Sequence, residues 1–129
     1  MDNIELMKQG YQHFADGNVE AVLALWDPAI EWNECPGMPF ITGDGRFTGP
    51  QAVVEHVFAK IPEYFDGFAI AIEQLLGSGD QVVMVGTYHG KLKSTGKVFN
   101  ARTVHVWTVK NGKCTRMVQV ADTVALTNP

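Results

Sequence analysis

The sequence predicts an α+β fold, with N-terminal helices packed on one face of an antiparallel sheet. Three observations carry this reading. Apolar residues recur with helical spacing through the first part of the chain. From Phe68 onward the pattern alternates and is punctuated by Gly-containing turns. Near the C-terminus, Asn111-Gly112 separates two alternating apolar runs. That dipeptide marks a tight hairpin, because both turn residues adopt positive φ.

The chain has 129 residues, which suits a single domain spanning 1–129. Its composition is that of an ordinary globular protein, 46% hydrophobic and 19% charged. No apolar run approaches the roughly 18 residues of a membrane span. The N-terminus lacks a basic and then apolar leader, so a cytoplasmic location is expected. With a net charge of −4 and no Lys/Arg cluster, neither nucleic acid nor an anionic membrane is an expected partner. Cys35 and Cys114 show no metal-ligand or redox-motif spacing and read as reduced thiols.

Ile4, Leu6-Met7, Tyr11 and Phe14 predict a first helix, which Asn3 can cap and Asp16-Gly17 ends. Asn18 caps a second helix, whose stripe is Val19, Val22-Leu23 and Leu25-Trp26, and Asp27-Pro28 stops it. Ala29 to Asn33 reads as a short strand. Glu34 to Gly49 reads as a long loop of the kind that walls a pocket. Pro50 opens a third helix that carries Val53-Val54, Val57-Phe58 and Ile61 and stops near Pro62. Four strands follow, at Phe68–Leu76, Gln81–Leu92, Val98–Val109 and Cys114–Thr123.

The hairpin sets a register, and register decides which polar side chains share a face. With Lys110 opposite Lys113, His105 falls opposite Val118 and Ala101 opposite Asp122. His105, Trp107 and Asp122 then face one side, while Arg102, Val104, Val106 and Met117 face the other. A carboxylate on an apolar concave face suits a general base, since desolvation raises its pKa. Asp122 is therefore the candidate base and His105 its electrostatic partner. Tyr88 and Met84 share the His105 face in one of the two registers that the Ser94-Thr95-Gly96 turn allows. His13, His56 and His89 lack partners at metal-ligand spacing, and neither a metal nor a cofactor is called for.

Several segments together resemble a known group: Phe14 to Asn18, Leu25 to Trp32, Gly49 to Val53, His105 to Lys113 and Val120 to Thr123. The chain resembles the SnoaL-like polyketide cyclase and ketosteroid isomerase group of the nuclear transport factor 2-like superfamily. The resemblance implies a cone, in which a curved mixed sheet wraps the helices around an apolar pocket. It also implies a homodimer through the outer sheet face, where Val104, Val106 and Met117 otherwise meet water. His105 matches the position of the acid in the isomerase oxyanion hole, and Asp122 that of the cyclase base. Trp32 stands where the isomerase holds its base, and an indole cannot remove a proton, so Trp32 shapes the pocket. Tyr11 is offset by about one position from the isomerase tyrosine and is carried as a pocket residue.

These observations point to a pocket for a small hydrophobic molecule. Catalytic roles fall to Asp122 and His105, and ligand contacts to Trp32, Tyr11, Trp107, Tyr88 and Met84. The expected activity is cofactor-independent acid–base chemistry on a small carbonyl compound, as an isomerase or a cyclase-like lyase. The alternative is a non-catalytic binding or dimerisation module of the same fold.

Overall fold

The computed structural model describes all 129 residues. Helix α1 spans Asn3–Ala15 and α2 spans Val19–Leu23. Strand β1 follows at Trp26–Asn33 and β2 at Arg46–Thr48. Helix α3 at Pro50–His56 leads through a 3₁₀ turn, Phe58–Lys60, into α4 at Ile61–Tyr64. The remaining strands are β3 (Phe65–Ser78), β4 (Gln81–Leu92), β5 (Val98–Lys110) and β6 (Lys113–Ala121). A short helix, α5, closes the chain at Thr123–Thr127. No helix is long and apolar enough to cross a membrane.

The six strands form one sheet in the order β2-β1-β6-β5-β4-β3. Only β1 and β6 run parallel, so the sheet is mixed. Register shifts interrupt the ladders at Asp66/Ala69, Ile72/Gln74 and Thr108/Val109. Such bulges bend and twist a sheet, and here the curved sheet wraps the helices as an α+β cone. Its concave face carries the main core, in which Leu6, Met7 and Tyr11 of α1 meet Trp26, Ile30, Met84, Trp107 and Met117. A second cluster, including Phe65, Tyr88, Phe99 and Leu126, fills the cone beneath α5.

Most helix boundaries follow local chemistry. Asp2, rather than Asn3, caps α1, its Oδ1 accepting from Glu5 N at 2.8 Å. Gly17, at φ 72°, turns the chain out of that helix. Asn18 caps α2 as expected. Three expectations are corrected. Helix α2 stops at Leu23, because Cys114 N donates to Leu25 O and Trp26 pairs with Cys114 at the start of β1. The third helix breaks at Val57 (φ −121°), and Pro62 sits in the first turn of α4 instead of ending a helix. The Glu34–Gly49 segment contains β2, which pairs antiparallel with β1.

The hairpin at Asn111-Gly112 forms as read, with Lys110 opposite Lys113. The bulge two residues further on then gives β6 one extra residue, so Thr108 meets Arg116 and His105 meets Gln119, not Val118. Two expected placements change. Met117 belongs to the concave core and is fully buried, while Val118 and Val120 take the outer face with Val104 and Val106. Asp122 drops off the end of β6, opposite Arg102, whose carbonyl accepts its backbone N–H at 2.9 Å.

Candidate functional site

Alternation along β5 delivers Phe99, Ala101, Thr103, His105, Trp107 and Val109 to the concave side, all of them buried. The neighbouring strands add Tyr88 from β4 and Cys114 and Gln119 from β6. From β1 come Trp26 and Trp32, and Glu34 continues the same alternation just past the end of the strand. Helix α1 closes the space with Met7, Gly10, Tyr11 and Phe14. Together they enclose a predominantly apolar cavity whose empty space, mouth included, is about 680 Å³.

Trp26, Trp32, Trp107 and Phe58 pack edge-to-face or tilted along one wall, with ring centroids 5.1–6.4 Å apart. A continuous polar chain runs across the other side. Trp107 Nε1 donates to the Tyr11 hydroxyl at 2.8 Å, and that hydroxyl lies 2.7 Å from His105 Nδ1. On the far side of the imidazole, the Tyr88 hydroxyl lies 2.5 Å from Nε2. Gln119 Nε2 donates to Tyr88 at 2.6 Å, and Cys35 N donates to Gln119 Oε1 at 3.0 Å. Every member is satisfied, as a buried polar network must be to persist.

The ionisable groups are strongly perturbed, in each case chiefly by burial. His105 is held far below the usual histidine range, at about 3, because an imidazolium there would be desolvated. Burial pushes both Tyr11 and Tyr88 well above the usual tyrosine range, so both stay protonated. The Cys114 thiol is pushed up to about 12. Glu34 is 3% exposed and is raised to about 7 by desolvation, which hydrogen bonding from Trp32 and Gln119 only partly offsets. It is the one carboxyl group lining the cavity.

The expected site residues fall into three groups. His105, Tyr11, Tyr88, Trp32 and Trp107 all line the cavity. The offset of Tyr11 does not take it off that face. Its ring stacks beside His105 at a centroid distance of 5.8 Å. Met84 lies opposite His105 in the β4–β5 ladder, but its side chain is packed into the core instead of lining the cavity. Asp122 lies outside the site altogether. It is exposed, and its Oδ1 accepts from Ala125 N at 3.1 Å as the N-cap of α5. An unbulged hairpin would put Asp122 on the concave face, and the bulge in β6 removes it from there.

Two buried polar residues were missed in the sequence. Glu34 follows Trp32 by two, so extending the strand alternation past Asn33 would have found it. Gln119 was hidden by the bulge, which leaves no mark in a single sequence. No group of three or more His, Cys, Asp or Glu side chains is placed to hold a metal ion.

A family model for the SnoaL-like domain matches residues 7–117. The chain belongs to the SnoaL-like family. Solved structures agree with it. An NTF2-like protein from Burkholderia thailandensis is 32% identical with a TM-score of 0.88, over 95% of this chain and 92% of that one. TerC, co-crystallised with polyporic acid, is 33% identical with a TM-score of 0.84, over 96% of this SnoaL-like chain and 94% of that one. A protein with a cystatin-like fold from Xanthomonas campestris is 22% identical with a TM-score of 0.82 over 98% and 95% of the two chains, and shows the shared fold. No curated protein matches the chain.

Proposed function

We propose that this SnoaL-like domain binds a small hydrophobic carbonyl compound in its cavity and moves a proton on it, with Glu34 as the base. The supporting observation is Glu34 itself, a carboxyl group poised at about 7 in an otherwise apolar, aromatic cavity. A base titrating near neutral pH best combines availability of the basic form with proton-transfer driving force. Glu34 takes the role first assigned to Asp122, and His105 keeps a place beside it as part of the polar chain.

The step balances on the chain's own residues. The Glu34 carboxylate takes a proton from the carbon next to the ligand carbonyl, and the released electron pair moves onto the carbonyl oxygen. The resulting enolate is stabilised by a hydroxyl donor of the Tyr11–His105–Tyr88 chain. In a β,γ-unsaturated ketone the enolate extends over the neighbouring double bond, and Glu34 returns the proton to its far carbon, which is isomerisation. In the cyclase variant the enolate carbon attacks a second carbonyl, whose oxygen takes the electron pair and then the proton from Glu34. Trp32 positions the base, since its Nε1 donates to Glu34 Oε1 at 2.9 Å.

TerC supports the ligand side of this reading, because that relative was crystallised with polyporic acid. Polyporic acid therefore belongs in the ligand panel.

The reading extends to the assembly and setting. One SnoaL-like domain spans 1–129 and forms a homodimer through its outer sheet face. There Val83, Val85, Val104, Val106, Val118 and Val120 are cross-strand neighbours, and Val120 is 59% exposed. Both cysteines are free, which suits the cytoplasm.

The test is deuterium exchange into 1-tetralone and related aryl ketones. Native protein should accelerate exchange, and Glu34→Gln should slow it by about 10²–10⁴-fold while leaving the fold intact. Ligand binding without any accelerated exchange would assign the protein to the non-catalytic binding modules instead.

A further inference from the structure

The polar chain across the cavity contains one more hydrogen than it needs. Two of its groups have a fixed sense. Cys35 N–H is a backbone donor, so Gln119 must present Oε1 to it and Nε2 to Tyr88. Trp107 Nε1–H can only donate, so Tyr11 oxygen accepts from it. Each tyrosine oxygen thus already accepts one bond from a partner that cannot reverse. Burial keeps His105 neutral, with a hydrogen on one ring nitrogen only. The two hydroxyl–imidazole links therefore require two hydrogens, while the three groups carry three.

Only two arrangements are possible. In the first, Tyr88 donates to Nε2, Nδ1–H donates to Tyr11, and the Tyr11 hydroxyl hydrogen is spare. In the second, Tyr11 donates to Nδ1, Nε2–H donates to Tyr88, and the spare hydrogen belongs to Tyr88. Tyr11 then shows the cavity a lone pair instead of a hydrogen. Interconversion passes one proton along the chain, with a proton taken up from the ligand or cavity solvent at one tyrosine and released at the other, and needs no movement of the backbone.

We propose that the Tyr11–His105–Tyr88 chain is a reversible proton relay that lets Tyr11 donate to a ligand carbonyl or accept from a ligand hydroxyl, so the cavity takes compounds in both keto and enol or phenol forms. This rests on the reading that the cavity is the ligand site, and deepens it by naming the ligand class. A ligand shifts the balance by its unequal affinity for the two arrangements. A carbonyl selects the Nδ1–H form of His105, and a phenol selects the Nε2–H form. Gln119 and Trp107 act as positioning residues, since they occupy the second lone pair of each tyrosine.

The tautomer can be read directly by ¹⁵N NMR of histidine-labelled protein, with the His105 signals assigned by their loss in His105→Gln. The probes are 1-tetralone, which only accepts, and 1-naphthol, which donates from a similar skeleton. The Nδ1–H to Nε2–H ratio should differ at least tenfold between the two complexes. In Tyr11→Phe the difference should vanish. An unchanged tautomer with both probes bound would overturn the relay, as would a shift that survives in Tyr11→Phe. Failure of both probes to bind at millimolar concentration would overturn the ligand class. The measurement in native protein decides the question even if the variant does not fold. A tautomer shift without deuterium exchange leaves the relay standing and removes the catalytic reading, and exchange with a fixed tautomer does the reverse.

Discussion

Trp32 Nε1 donates to Glu34 Oε1 at 2.9 Å, two residues along the same stretch of extended chain. Strand alternation sends both side chains into the cavity, so the indole that shapes the wall also orients the cavity's carboxyl group. The backbone of Glu34 is fixed just as firmly, since its N–H donates to the Gly45 carbonyl at 2.8 Å. A carboxyl group anchored at both ends holds its position in the ligand-free cavity.

Asp122→Ala should cost stability and leave chemistry alone. The side chain caps α5 through Ala125 N, and losing such a cap costs about 1 kcal/mol. Thermal denaturation should show the loss, whereas the ketone exchange rate should stay within about twofold of native, by the argument that separates surface caps from site residues. A large drop in exchange at unchanged folding would return Asp122 to the mechanism.

Stability should show a plateau in mildly acidic solution. Glu34 is raised from 4.5 to about 7 in the fold, so the native state binds its proton more tightly than the unfolded chain. Its contribution is complete below pH 4.5 and is lost as pH rises towards 7. His105 is lowered from 6.5 to about 3, so its contribution is complete above pH 6.5 and is lost as pH falls towards 3. The two slopes oppose each other between pH 4.5 and 6.5. Urea midpoints should therefore fall on both sides of that window. Glu34→Gln should abolish the alkaline fall, worth about 0.7 kcal/mol over the half unit from 6.5 to 7 at one pK unit per 1.36 kcal/mol, and extend the acid limb up to pH 6.5, because the His105 slope is no longer opposed.

Gly45→Ala should disturb Glu34 from a distance along the chain. Gly45 has φ +74°, and a Cβ there would lie 2.3 Å from the Glu34 carbonyl oxygen. The left-handed conformation alone costs a non-glycine residue about 1–2 kcal/mol, and the backbone clash adds to it. Expected are a lower urea midpoint and, by ¹³C NMR titration, a Glu34 carboxyl shifted from about 7 towards its ordinary 4.5. An unchanged titration would show that the Gly45 contact does not position the group.

Val106→Asp should dissociate the proposed dimer. Val106 pairs with Val83 on one side and Val118 on the other, at the middle of the outer apolar patch. An aspartate there would bury an unpaired charge in any face-to-face assembly. Light scattering at micromolar concentration should report a dimer for native protein and a monomer for the variant. A monomeric native protein would remove the assembly from the reading.

Local chemistry in the sequence was enough to determine the fold class, the Asn111-Gly112 hairpin, the Asn18 cap and the concave placement of His105 and Trp107. Each depends on residues close in the chain: a turn that needs positive φ, a side chain that reaches a nearby N–H, an alternation of period two. Tyr11 and Tyr88 were legible as cavity residues, but not as partners of one imidazole, because that contact joins α1, β4 and β5 across long stretches of sequence. The tertiary structure alone decided the membership of Gln119 and Asp122, whereas Glu34 lies within reach of the alternation that places Trp32. A bulge between Thr108 and Val109 shifts β6 by one residue against β5, and one residue in a strand exchanges its two faces. Gln119 was thereby turned into the cavity and Asp122 moved beyond the strand to cap a helix. Bulges arise from sheet curvature and packing around the helices, which neighbouring residues in the chain do not encode.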